Sequence, residues 1–137
     1  MAWTAITDRD ICVQGKENKI NCYASGTIYA GQGVTLTNTK QSSLTYVMPG
    51  NAGEDKRALG IAATDATSGK MVSVYTGGSV CWTRANSAVT QGDWLSVAAD
   101  GDWDDCEDAN ALSIAMSGAA IALATASTDQ PLKVLLK

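Results

Sequence analysis

Histidine is absent from this 137-residue chain, and so is phenylalanine. Without histidine the commonest general base is missing, and every Ser-His-Asp or Cys-His nucleophile system is excluded. No G-x-S-x-G nucleophile elbow occurs. Basic charge is also scarce, with 10 Lys and Arg against 14 Asp and Glu and a net charge of −4. A nucleic-acid partner needs a Lys/Arg surface to displace phosphate counterions, so DNA and RNA are not expected as partners. Long apolar runs are lacking too. The longest uncharged stretch, Ala109 to Thr128, has the length of a membrane span, but Asn110, Ser113, Ser117, Gly118, Thr125, Ser127 and many alanines leave it too weakly apolar. Met1 to Asp10 shows no basic region followed by an apolar run, which points to synthesis and folding in the cytoplasm.

The four cysteines, Cys12, Cys22, Cys81 and Cys106, include no C-x-x-C pair. Zinc sites of the ribbon or knuckle type need such close pairs, and no metal is expected. Bridges Cys12–Cys22 and Cys81–Cys106 and a fully reduced set of buried thiols are all compatible with the spacing. A chain of this length forms one compact domain, burying about two-thirds of its unfolded surface. Its core is rich in small residues, since the apolar fraction rests on Ala, Val, Leu and Ile.

What is present is a repeat. Ala30-Gly31-Gln32-Gly33-Val34-Thr35-Leu36 is echoed by Val89-Thr90-Gln91-Gly92-Asp93-Trp94-Leu95, and Gly60-Ile61-Ala62 with Met71–Val74 by Ala120-Ile121-Ala122 with Pro131–Val134. The separations are nearly equal, 59 residues from Gly33 to Gly92 and 60 from Ile61 to Ile121, as a duplicated β-unit requires. Short apolar runs punctuated by glycine turns predict strands at 27–29, 34–36, 44–48, 59–63, 71–75, 80–83, 94–97, 112–116, 121–125 and 132–136. Thr76-Gly77-Gly78-Ser79 reads as a hairpin turn and Asp100-Gly101-Asp102 as another turn. The expected fold class is all-β: a single small β-barrel or β-tulip-like domain over residues 26–137, with an internal pseudo-repeat and an extended N-terminal arm over residues 1–25. Alanine content alone favours a helix over Ala111–Ala126, but Gly118 and the repeat favour strands.

Other motifs fail on their geometry. Gly31-Gln32-Gly33 lacks the third glycine of a dinucleotide fingerprint and leads into a strand, so no cofactor is expected. The acidic cluster Asp100, Asp102, Asp104, Asp105, Glu107 and Asp108 begins like an EF-hand. It has Asp105 where glycine is needed and Ala111 where a bidentate Glu is needed, which leaves only a looser Ca²⁺ site or a solvated acidic loop. A glycosidase needs two acids facing across a sugar, and these lie together on one loop. Trp82 and Trp94 sit among apolar neighbours and read as core. Trp103, flanked by Asp102 and Asp104, reads as an exposed interaction loop.

These signals, in their order, resemble the capsid decoration (cement, head-stabilising) proteins of tailed bacteriophages. The matching elements are Gly26-Thr27-Ile28-Tyr29-Ala30-Gly31-Gln32-Gly33-Val34, then Ala58–Ala62 with Asp65–Val74, then Gly77-Gly78-Ser79-Val80, Gln91–Leu95 and Gly118–Ala124 up to the closing strand. The four cysteines and the tryptophan-containing acidic segment 102–108 depart from that pattern. The resemblance implies a non-enzymatic structural protein of the virion. It would bind the outer surface of the expanded capsid, clamp neighbouring major capsid protein subunits, and associate with itself, commonly as a trimer. Its synthesis would then take place in the host cytoplasm. The arm is the expected site of capsid or neighbour contact, through Trp3, Ile6, Ile11 and Ile20, so deleting residues 1–19 is expected to abolish binding and leave the domain folded. A carbohydrate-binding or adhesive β-module using Trp103 is the competing expectation.

Overall fold

The computed structural model describes residues 3, 6, 10–15, 18–37, 45–50, 58–105 and 120–137. Eleven strands are formed among them: β1 (Cys12–Gly15), β2 (Lys19–Ala24), β3 (Gly33–Leu36), β4 (Tyr46–Pro49), β5 (Ala58–Ala62), β6 (Met71–Tyr75), β7 (Ser79–Arg84), β8 (Trp94–Val97), β9 (Trp103–Asp105), β10 (Ala120–Ala122) and β11 (Pro131–Leu136). The only helical element among the described residues is a 3-10 turn at Ala99–Gly101, so none crosses a membrane as a helix. The expected strand at 112–116 lies outside the described residues.

The all-β class, the barrel and the internal repeat are as expected, and the repeat is larger than its sequence echoes. Strands β2-β4-β3-β5-β6 close into a barrel. The order β7-β11-β10-β8-β9 reproduces it in the second half, with β1 added outside β7. A parallel bridge between Ala85 and Trp103 joins the ends of that second set, at the place where β2 and β4 pair in parallel through Ala24 and Val47. The chain thus holds two five-strand units, and the register between strands matches pair for pair: Ile61 faces Tyr75 as Ile121 faces Leu135.

Each unit is built around two turns that lie against each other. Ile28 N–H donates to Ala66 O (2.8 Å) and Ala66 N–H to Ile28 O (2.9 Å); Val89 and Ala126 repeat the exchange at 2.9 Å each. Even the side-chain cap recurs, with Gln32 Oε1 accepting the Tyr29 N–H at 2.8 Å and Asp93 Oδ2 accepting the Thr90 N–H at 2.9 Å. Backbone conformation fixes the alignment. Within these paired turns the left-handed positions are Gly31 (φ +93°), Gly69 (+83°), Gly92 (+95°) and Asp129 (+64°), so Gly31 corresponds to Gly92. The Gln-Gly identity that aligns Gly33 with Gly92 is two residues out of register. Three of the four sites use glycine because a Cβ disfavours that conformation; Asp129 is the exception that a short polar side chain tolerates.

Two further expectations change. The turn at Thr76–Ser79 is present, with Ser79 N–H donating to Thr76 O, but it is no hairpin. It passes from β6 of the first unit to β7 of the second, which pairs with β1 and β11. The segment expected as an arm contributes two strands, and β2 pairs along its length with β6 inside the first barrel. Among the cysteines, Cys12 lies opposite Cys81. Cys22 sits apart in the first barrel's core with Ala24, Ile28, Val34 and Val74. None of these three cysteines is disulfide-bonded.

Two cores result. One fills the first barrel, and the other fills the second unit and reaches across the junction to Ile61 and Tyr75 of the first. Each fully buried large aliphatic side chain contributes about 1.5–3 kcal/mol.

Candidate functional site

The residues expected to contact a partner are largely used inside the molecule. Ile6 and Ile11 are buried in the junction core, with half-buried Trp3 against them. They cover the Gly31 turn so closely that a Cβ there would lie 2.8 Å from Ile6 Cδ1 and 3.2 Å from Trp3 Cζ2. The Trp3 ring also receives the Arg84 guanidinium at 5.9 Å. Burial of Ile6 and Ile11 leaves little of either for a partner, and removing residues 1–19 would open the protein's own core. Ile20 alone of the four is exposed, at 42%.

The acidic loop is corrected in the same way. Trp103 is fully buried on β9, and it occupies the space left by the missing side chain of Gly33, where a Cβ would be 2.8 Å from its Nε1. Asp102 is only 5% exposed, and its Oδ1 has no hydrogen-bond partner among the described residues. Burial, with Asp129 and Asp100 nearby, pushes its carboxyl up to about 6, against an opposing pull from Arg84. Asp104 is half-buried and accepts from the Ser87 hydroxyl. A strand of three residues with acidic neighbours places one aromatic inward, so no exposed aromatic platform forms here. No group of three or more ligating side chains suited to a metal occurs among the described residues.

An open concave surface among the described residues lies elsewhere, where the paired turns of the first barrel meet. A groove of about 490 Å³ is lined by Thr27, Ile28, Tyr29, Asp65, Ala66, Thr67, Lys70 and Met71. Its floor is the Ile28–Ala66 bridge, and its rim is fixed by Asp65 Oδ1, which accepts the Ala30 N–H at 2.8 Å. Met71 is 57% exposed and Tyr29 42%, so two large side chains stand together on its lining. The matching positions of the second unit hold Thr90 and Pro131, so this apolar face is particular to the first. Reading 27–29 as an ordinary strand concealed the groove, since its two sides are far apart in sequence.

Residues 13–137 match the model of the phage cement protein family, and the chain belongs to that family. The fold is similar to that of the head fiber gp8.5 N base of bacteriophage phi29. That similarity has a TM-score of 0.67 at 15% identity and covers 89% of this chain and 95% of the other. No curated protein matches the chain. The protein is a virion-associated structural protein of the phage capsid.

Proposed function

We propose that this protein binds the outer surface of the expanded capsid and cements the lattice of the major capsid protein, associating with itself, as a trimer, and acting without catalysis. Family membership over residues 13–137 carries the reading. The Tyr29–Met71 groove supports it by offering an apolar recess with one cation, Lys70, on a chain of net charge −4. Many modest contacts of this kind, repeated over a lattice, add through effective concentration. The carbohydrate-binding alternative loses its main support with the burial of Trp103.

Co-sedimentation of the purified protein with expanded capsids lacking it tests the reading. Saturable binding at a fixed ratio to the coat subunit, weakened at least tenfold by Met71→Lys with Tyr29→Ala, is expected. Binding that never saturates, or none, would overturn the capsid assignment. Saturable binding unchanged in the double variant would move the contact away from the groove.

A further inference from the structure

Two of the cysteines stand side by side where the N-terminal segment crosses the second unit. Cys12 of β1 lies directly opposite Cys81 of β7. The adjacent hydrogen bond fixes the type of position. Trp82 N–H donates to Ile11 O at 2.8 Å, one residue outside the cysteines on each strand, so the cysteines themselves occupy a non-hydrogen-bonded site. At such a site the Cα atoms lie about 4.5 Å apart and both side chains leave the sheet on the same face, inside the range that a disulfide spans. Cys81 is fully buried, and Cys12 is half-buried against the same core. Cys22 faces Val72 in the first barrel instead.

The position of β1 gives this pair its consequence. Among the described residues β1 is the outermost strand of its sheet, and its register with β7 shifts between Cys12 and Gln14. An edge strand of four residues with a bulge is held by few backbone bonds, and such elements open at low free-energy cost. Ile11 immediately precedes it, and Ile11, Ile6 and Trp3 cover the Gly31 turn and pack in the junction core. Opening of β1 would therefore uncover that core. A bond from Cys12 to Cys81 fastens the cover in place. It also encloses β2 to β6, the whole first barrel, in one covalent loop, and a long closed loop strongly restricts the unfolded chain.

We infer that Cys12 and Cys81 form a redox latch: they are thiols in reducing surroundings and a disulfide in oxidising ones, and the disulfide locks the N-terminal cover over the junction between the two units. Half-buried Cys12 is the one of the two open to a dissolved disulfide such as oxidised glutathione. Its thiolate attacks one glutathione sulfur, a mixed disulfide forms and one glutathione thiolate leaves. The Cys81 thiolate then attacks Cys12 Sγ and releases the second. The protein gives up two protons and two electrons, and oxidised glutathione becomes two glutathione thiols. A particle released from a cell passes from reducing to oxidising surroundings, so the latch closes after assembly. It is a property of the chain alone and does not depend on capsid binding.

The test uses full-length protein without capsids, incubated with oxidised glutathione and then freed of it. Peptide mass spectrometry without reductant should show Cys12 joined to Cys81. Thermal unfolding should shift upward by about 5 °C or more, and amide exchange at Trp82 should slow by about tenfold or more. Dithiothreitol should reverse both changes. Cys12→Ser should show neither change, whereas Cys106→Ser should show both; if Cys12→Ser does not fold, the wild type with and without dithiothreitol supplies the comparison. A different pairing, Cys12 left as a stable glutathione adduct, or a Cys12–Cys81 bond that alters neither unfolding nor Trp82 exchange would overturn the inference.

Discussion

Replacing Gly33 by alanine should destabilise the protein through one identifiable neighbour. Gly33 opens β3, and a Cβ built there would lie 2.8 Å from Trp103 Nε1, 2.9 Å from Cε2 and 3.0 Å from Cζ2. Those distances are well inside van der Waals contact, and Trp103, the largest fully buried side chain, has little room to retreat. Overpacking of this kind costs about 1–3 kcal/mol. Alanine otherwise improves on glycine in a strand by roughly 0.5–1 kcal/mol, so a net loss of about 1–2 kcal/mol is expected for Gly33→Ala. Trp103→Phe removes the atoms that clash, at its own cost of a smaller buried ring. The double variant should therefore be more stable than the sum of the singles by about 1 kcal/mol or more, the coupling expected for residues in contact. Urea denaturation followed by far-ultraviolet circular dichroism, with the slope checked for constancy, measures all four corners of the cycle. Additivity within about 0.5 kcal/mol, or a neutral Gly33→Ala, would refute the packing assigned to Trp103.

Asp102 makes stability depend on pH. Its folded carboxyl, at about 6, lies above the ordinary 3.8, so the folded state holds the proton more tightly and stability falls as pH rises between those values. Asp102→Asn should be more stable than wild type at pH 8 by about 1–3 kcal/mol, with the gap closing near pH 4; urea midpoints across that range would show it, and a gap independent of pH would refute it. Trp82 N–H donates to Ile11 O at 2.8 Å beside the Cys12–Cys81 pair, which puts the two cysteines at a non-hydrogen-bonded position where Cα atoms approach to about 4.5 Å, within disulfide reach. Oxidised glutathione should link Cys12 to Cys81, seen as one cross-linked peptide, and leave Cys22 unmodified, because burial pushes its thiol pKa up. Ile6→Ala and Ile11→Ala should each lower stability by about 2 kcal/mol or more in thermal or urea unfolding, whereas Ile20→Ala should change it by no more than about 0.5 kcal/mol.

Much of this architecture was legible because the strands carry short, regular signals. Met71–Tyr75 is a strand with the bounds read from its apolar run, and β11 alternates buried and half-buried side chains along its length. The duplication was visible too, but its register was hidden by a coincidence: Gln-Gly recurs at 32–33 and 91–92, while the conformational glycine of the first turn is Gly31. The fourth turn escaped notice because Asp129 stands where the other three have glycine. The sites were less legible for a physical reason. Three residues are too few to display a strand period, so the inward Trp103 of β9 was masked by its acidic neighbours. The isoleucines Ile6 and Ile11 lie among charged residues with no period of their own, and only the neighbouring Gly31 turn and β7 reveal that they belong to the core.

Quantitative peptide mass spectrometry on density-purified phage particles, scoring this chain against the coat subunit, tests most directly whether it is a structural part of the virion. A fixed, near-stoichiometric ratio to the coat subunit across preparations is the predicted result. Absence from the particles, or a ratio that falls with each round of purification, would contradict it.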